Sequence, residues 1–214
     1  MAANRNIVDV IYFLLKNKNC ISNDFRNNSM LIRIAIPSSI TIIEDFAFRF
    51  CKQLTRISIP SSVKIIDSYA FQRCESLERL SIHSAEISIG EYAFQRCESL
   101  KEVSIHSTAI SIGKYAFQRC ESLERLSIHS AEISIGEYAF QVCKSLKEVS
   151  IHSSETLIRN YAFHCCKYLT NPSITSFKLT VENNAFYYNK ALLHNNKSNF
   201  YTYSSQKSND NNNS

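Results

Sequence analysis

The chain has 214 residues, of which 44% are hydrophobic, 24 are basic and 19 are acidic. This apolar content suffices for a continuous core, while the formal net charge of +5 is small and evenly spread, which argues against a nucleic-acid surface. No stretch approaches the roughly 18 to 20 apolar residues of a membrane-spanning helix.

Residues 1–30 are predicted to form an N-terminal capping helix followed by a polar connector. Apolar side chains recur at helical spacing near the start of this segment: Ile7, Ile11, Leu14 and Leu15. A short amphipathic helix here would cover the apolar end that an open array of repeats exposes. The same stretch carries Asp9 and lacks a small-residue cleavage site, so it does not fit a secretion signal and predicts a cytosolic start.

One dipeptide, Ala-Phe, marks a repeat with a constant period of 23 residues. Its copies are Ala47-Phe48, Ala70-Phe71, Ala93-Phe94, Ala116-Phe117, Ala139-Phe140, Ala162-Phe163 and Ala185-Phe186. A fixed period of this size is typical of a solenoid, in which each repeat contacts only its neighbours. We therefore predict one elongated domain of about seven repeats over residues 31–193.

The first part of each repeat follows an L-x-x-L-x-I pattern, as in Leu77, Leu80 and Ile82. Its last two apolar positions alternate with polar ones, which predicts a short strand with one buried face. We expect the copies of this strand to stack into a parallel sheet.

The second part of each repeat runs through I-x-x-Y-A-F-x-x-C and predicts a brief helical turn. Its aromatic residues would stack from coil to coil as the spine of the core. They are Phe48, Phe71, Phe94, Phe117, Phe140, Phe163 and Phe186. A strand and a helical turn in every repeat make the predicted fold class an α/β repeat solenoid.

Six of the eight cysteines share the 23-residue period: Cys51, Cys74, Cys97, Cys120, Cys143 and Cys166. Stacked coils lie about 4.8 Å apart, which would place these sulfurs in a column inside the core, where free cysteine is common. Periodic disulfides are the alternative, although parallel Cβ directions suit them poorly. Cys20 and Cys165 have no assigned role.

The C-terminal end departs from the repeat. Pro172 falls within the strand where Val149 stood, and Asn189 takes the cysteine position, as expected of a terminal repeat. Residues 194–214 are rich in Asn and Ser with almost no aliphatic side chains, which predicts a disordered tail.

The segments IPSSVKIIDSYAFQRCESLERLSI and IGEYAFQRCESLKEVSI resemble the repeats of the BspA-like leucine-rich repeat family. The resemblance covers residues 31–193 and implies a right-handed coil with a stacked parallel β-sheet and short helical or irregular turns. It also implies a surface antigen or adhesin that binds a host or cell-surface protein. Two features depart from the family: no secretion signal is visible, and histidine replaces proline in four copies.

Residues 71–107 and 117–153 have the same 37-residue sequence except at two positions, so a two-repeat unit has been copied almost whole. Charges consequently alternate in sign from one repeat to the next. The alternating columns are Glu78, Lys101, Glu124 and Lys147; Arg79, Glu102, Arg125 and Glu148; and Glu91, Lys114 and Glu137. Opposite charges on neighbouring strands favour the pairing and fix its register.

By alternation, the strands expose a charged, a serine and a histidine column, which together we call the strand face. It consists of Arg79, Ser81, His83, Glu102, Ser104, His106, Arg125, Ser127, His129, Glu148, Ser150 and His152. Such a face is the usual binding surface of a solenoid. We predict a non-enzymatic protein–protein interaction module with its partner on this face, and an intracellular scaffold or regulator as the alternative.

The histidine column also raises a metal-responsive role, because imidazole is a frequent metal ligand. Zinc sites need three or four convergent ligands, however, and no carboxylate or cysteine accompanies these histidines at ligand spacing. The sequence S-I-H-S occurs in four successive copies, whereas a catalytic site has one unique geometry. We therefore predict no enzyme activity, no catalytic residue, no metal and no cofactor.

Overall fold

The computed structural model describes residues 18–170 and 172–189. Two expectations, the capping helix at the N-terminus and the disordered tail of residues 194–214, lie outside the described residues. Within the described ranges, no helix is long and apolar enough to cross a bilayer.

Parallel strands form almost all of the regular structure. In chain order they are β1 (Cys20–Ile21), β2 (Arg33–Ala35), β3 (Ile42–Ile43), β4 (Arg56–Ser58), β5 (Ile65–Ile66), β6 (Arg79–His83), β7 (Glu86–Ile89), β8 (Glu102–His106), β9 (Ala109–Ile112), β10 (Arg125–His129), β11 (Glu132–Ile135), β12 (Glu148–Ile158) and β13 (Ser173–Val181). Most coils contribute two short strands, whereas β12 and β13 are single long ones.

The strands form two stacks that meet in the long strand β12. The leading stack consists of β6, β8, β10 and the first half of β12, and the trailing stack runs from β1 through β3, β5, β7, β9 and β11 to its second half. β13 pairs with β12 along both halves, and β2 pairs with β4 separately. The architecture is therefore a parallel β-solenoid.

The predicted stacking of the L-x-x-L-x-I strands is confirmed. Arg79 of β6 aligns with Glu102 of β8, one 23-residue period further along the chain. Leu80 and Ile82 are buried, while the residues beside them in the same strand are exposed. This alternation lets the leading stack cover the core with one side and present polar side chains on the other.

The coils begin before residue 31. β1 pairs with β3, and Ile21 is completely buried. A single 3-10 turn, Asn23–Phe25, then brings the Phe25 ring to 5.1 Å from the Phe48 ring. These residues fall within the predicted polar connector, whose two apolar side chains pack against the next coil.

The helical turns predicted for the Y-A-F-x-x-C segments are wrong in the described part of the chain, which contains no α-helix. Tyr92 and Arg96 have positive φ angles of 56° and 58°, which interrupt a right-handed helix. The amide of Phe94 donates to Ala116 in the next coil at 2.7 Å, so it is not available for an intrahelical bond. Each segment is instead an irregular turn, and the α/β assignment gives way to a β-solenoid.

The predicted phenylalanine spine is confirmed. Stacked rings run from Phe25 to Phe186 with centroids 4.9 to 5.2 Å apart and planes within 7° of parallel. The rings from Phe48 to Phe163 are completely buried. Truncating one such ring to alanine typically costs about 3 to 5 kcal/mol, so this column is a main source of stability.

The periodic cysteines are free thiols and all six are buried. Each Sγ lies near the carbonyl oxygen of a phenylalanine in the preceding coil, as Cys97 does with Phe71 at 3.3 Å. This arrangement agrees with the predicted thiol column and not with periodic disulfides. Asn189 occupies the same position in the last coil and is also buried.

Candidate functional site

All twelve residues of the strand face lie on the outward side of the leading stack. β6, β8, β10 and β12 each contribute one charged residue, one serine and one histidine, aligned in register across the four strands. The four histidines are exposed, and the serines and charged residues are exposed or half-buried. The structure thus brings the predicted residues together as one continuous surface.

Three of the four side chains in the charged column pair as its alternation predicts. Glu102 lies between two arginines, with its Oε2 3.6 Å from Arg79 and 3.5 Å from Arg125. Arg125 also approaches Glu124 at 3.9 Å. Exposed pairs contribute only about 0.2 to 1 kcal/mol each, so their main effect is to hold these side chains in place along the stack.

The histidine column is a stack of parallel imidazole rings. Successive centroids are 4.8 to 4.9 Å apart and the planes lie within 4° of parallel, from His83 to His152. Three of the four Nδ1 atoms lie 3.4 to 3.5 Å from the hydroxyl of the serine two residues earlier. Burial lowers the pKa of His106, and its electrostatic interaction with the neighbouring His129 and His83 lowers it further.

The stacked rings do not converge on a point as metal ligands do. Across the described ranges, no three His, Cys, Asp or Glu side chains are grouped to hold a metal ion. The Ser–His contact recurs with nearly the same distance at His83, His129 and His152, so it is a property of the repeat and not a unique nucleophile and base.

A groove of about 610 Å³ over the trailing stack was missed by the sequence reasoning. Its floor includes Ser88, Ser111 and Ser134, which follow one another in register. Glu86 and Glu132 also line it. The alternating E-I-S-I sequence of β7 was the available signal, but it was not recognised as a strand.

A second aromatic column was also missed. Half-buried rings stack at 4.9 to 5.0 Å along the turns. They are Phe46, Tyr69, Tyr92, Tyr115, Tyr138 and Tyr161. The tyrosine before five of the seven Ala-Phe pairs was visible in the sequence, yet a helical turn would not have aligned these rings in this way.

Comparison with known families gives one match, which spans most of the chain. The model of the BspA type leucine-rich repeat region fits six copies, over residues 18–132 and 64–193. No curated protein matches the sequence.

Solved structures of leucine-rich repeat proteins resemble this fold. A leucine-rich repeat protein from Eubacterium ventriosum superposes with a TM-score of 0.71 at 24% identity, over 80% of this chain and 46% of its own. A leucine-rich repeat protein from T. pallidum gives a TM-score of 0.46 at 23% identity, over 73% and 63%. The chain therefore spans less than half of the Eubacterium protein, and that likeness concerns the fold alone.

Proposed function

The chain belongs to the BspA type leucine-rich repeat family, and from this premise we propose that it is a protein-interaction module that recognises its partner on the strand face. The resemblance to this family implies that the module acts as a surface antigen or adhesin that binds a host or cell-surface protein.

The observation that carries the proposal is the uniform strand face. Four strands present the same three kinds of side chain in register, so an extended partner meets a serine, a histidine and a charge of alternating sign at successive steps. The serines between the charged and histidine columns are small, which leaves those longer side chains accessible from both sides. Rigid strands also hold the groups in place before binding, which limits the entropy lost on association.

The test is a double variant in the middle of the face, Arg125→Glu with His129→Ala. It reverses one charge and removes one imidazole from β10 without touching a buried side chain. We expect its affinity for partners captured by the purified chain to fall by about tenfold or more, since central interface residues carry most of the binding energy. Surface plasmon resonance with the immobilised chain measures this loss.

A matched control changes the turns instead. Arg119→Glu with Ser122→Ala makes the same charge reversal and one truncation outside the strand face. Equal binding by the face variant and the parent would refute the placement of the site. Surface biotinylation of intact cells separates the two functions. If it labels none of the captured partners, the result favours the intracellular scaffold over the adhesin.

A further inference from the structure

The net charge of the strand face depends on its histidines alone near neutral pH. Arg79 and Arg125 balance Glu102 and Glu148, so the charged column sums to zero. The serines carry no charge. The face is therefore neutral when the four imidazoles are neutral, and each imidazole that takes up a proton adds one positive charge to it.

No acidic group offsets that positive charge locally. In the described part of the chain, no carboxylate oxygen lies within 4.0 Å of His83, His106, His129 or His152. The residue that β13 aligns with His152 is Thr175, which does not titrate. The titratable groups nearest along the chain are the charged column four residues before each histidine and Glu86, Glu132 and Glu155 three residues after.

The stacked geometry makes the protonated column unfavourable by itself. Each imidazolium would have a second one 4.8 to 4.9 Å away, and the two charges repel. The lowered pKa of His106, caused first by burial and then by its two neighbours, agrees with this repulsion. An anion placed along the column would relieve it, so protonation and anion binding favour each other.

The accessible edges of the rings suit an extended ligand. Serine hydroxyls lie beside Nδ1 in three of the four histidines, whereas Nε2 of the four makes no hydrogen bond within the described residues. Parallel rings direct their equivalent edges the same way. One extended chain that runs along the stack can therefore reach all four Nε2 atoms.

We propose that the histidine column is a pH-dependent binding strip for an acidic peptide segment of the partner, which it holds more tightly in mildly acidic than in neutral solution. This inference rests on the proposed function, because it assigns a chemistry to the partner on the same face. Glutamate side chains remain ionised down to about pH 4.3, so an acidic peptide keeps its negative charge in mildly acidic solution, where imidazoles take up protons.

The test uses the full chain and a fluorescein-labelled peptide of ten glutamates at low ionic strength. Fluorescence anisotropy should show binding about tenfold or more tighter at pH 5.5 than at pH 7.5, because three or four exposed ion pairs together reach that ratio. The affinity should fall again near pH 4, where the peptide protonates. Equal affinities at pH 5.5 and 7.5 would overturn the proposal.

Variants separate the column from the rest of the molecule. His106→Gln with His129→Gln should abolish most of the gain at pH 5.5, whereas His106→Lys with His129→Lys should bind at pH 7.5 as well. Arg96→Gln with Arg119→Gln removes two positive charges from the turns and should leave the pH dependence intact. If this control removes the pH dependence and the glutamine variant keeps it, the strip does not lie on the histidine column.

Three further outcomes define what has failed. If a single-stranded DNA oligonucleotide of equal charge binds as tightly as the peptide, the assignment to an acidic peptide is wrong and the column is a general polyanion site. If captured partners depend on the strand face but bind equally at pH 5.5 and 7.5, the proposed function stands and this inference falls. If the peptide binds as expected while the captured partners bind the face variant as well as the parent, the column does bind acidic peptides but the placement of the partner on the strand face is wrong.

Discussion

At the scale of single residues, the six periodic cysteines show how one repeat position acquires a uniform chemistry. Burial raises the pKa of each thiol, to about 11 at Cys51 and further at the others. A thiolate would have to sit without water among apolar side chains, which disfavours the charged form. The column is consequently unreactive as long as the coils remain stacked.

The buried thiols predict an alkaline loss of stability. Unfolded cysteines ionise near pH 8.5, whereas the folded ones remain protonated, so the unfolded state releases protons and is favoured as the pH rises above about 8.5. Each thiol contributes up to about 1.4 kcal/mol per pH unit in that window. Urea unfolding under reducing conditions at pH 7.5 and 9.5 measures the change.

The matched variant for this prediction is Cys97→Ala with Cys120→Ala. Its free energy of unfolding should be lower at every pH because of the lost volume, but it should decline less steeply between pH 7.5 and 9.5. An unchanged slope would mean that groups other than the thiols cause the alkaline loss.

Residues that repeat with the period and stay apolar could be predicted from the sequence, as Phe94 and Cys97 were. Tyr92 and Arg96 could not be placed in the same way. Their positive φ angles suit glycine better than tyrosine or arginine, and nothing in the local sequence indicates such angles. The coil-to-coil hydrogen bonds that stabilise these turns come from residues 22 to 24 positions away.

At the scale of elements, a ladder of side-chain amides joins the turns along the stack. Arg49 donates to Gln72 at 2.6 Å, and each glutamine then donates its Nε2 to the Oε1 of the next. The glutamines are Gln72, Gln95, Gln118 and Gln141. The ladder ends where Gln141 Nε2 donates to His164 Nδ1 at 3.1 Å.

The direction of this ladder determines the charge that His164 can carry. Arg49 is always a donor, so every amide in the chain must accept from one side and donate to the other. His164 can close the chain only with an unprotonated Nδ1. Burial lowers the pKa of His164. No carboxylate is among its other neighbours, which are the rings of Tyr161, Tyr187 and Tyr188 and the thiol of Cys165.

His164 therefore predicts an acid loss of stability that a glutamine would remove. Because its folded pKa is lowered, the unfolded state binds the proton more readily, and stability falls as the pH drops below about 6.5. In His164→Gln the amide ladder continues through one more residue that can accept and does not titrate. The free energy of unfolding of this variant should decline less between pH 7 and 5 than that of the parent.

Urea unfolding at pH 7, 6 and 5 checks this difference. His152→Gln, which removes an exposed imidazole from the strand face, is the control because it leaves the ladder intact. Parallel pH profiles for His164→Gln and the parent would show that the ladder tolerates a protonated histidine.

Elements with local alternation could be predicted from the sequence, and the leading strands confirm it. The trailing strands and turns were predicted wrongly because pairing between coils, and not the local sequence, determines their structure. In β7, Glu86–Ile89, four residues are too few for a clear period-two signal, and the strand is stabilised by the equivalent strands β5 and β9 in adjacent coils. Pairing between adjacent coils also holds the strand face. The register of the strand face could be predicted because the alternation of the leading strands is visible in the sequence. The groove beside the trailing stack could not, because its short strands lack that signal.

At the scale of the whole molecule, the chain alternates between two kinds of repeat over residues 71–153, whereas Arg33 faces Arg56 in the preceding coils. Arg79 and Arg125 both contact Glu102, and Lys114 contacts Glu137 at 2.9 Å. A coil of one kind therefore meets unlike charges only when its neighbour is of the other kind. Individual pairs are weak, but like charges directly opposite each other are destabilising, so the alternation selects which coils stack favourably.

Two internal deletions test whether the charges impose this order. Removing residues 95–140 joins Phe94 to Gln141 and deletes two periods, which places Glu78 opposite Lys147 and keeps unlike charges together. Removing residues 95–117 joins Phe94 to Gln118 and deletes one period, which places Glu78 opposite Glu124 and Arg79 opposite Arg125. The aromatic and thiol columns continue across both junctions, since every coil carries them at the same positions.

We expect both deletion proteins to fold, because each coil contacts only its neighbours. The single-period deletion should gain stability when the salt concentration rises from 0.05 to 0.5 M, since screening weakens the repulsion of the like charges at its junction. The two-period deletion should lose stability slightly or remain unchanged, as its unlike pairs are screened. Urea midpoints at the two salt concentrations decide the matter, because comparing each protein with itself removes the effect of its length. Salt responses of the same sign and size would mean that the hydrophobic columns alone select neighbouring coils, with no part for the alternating charges.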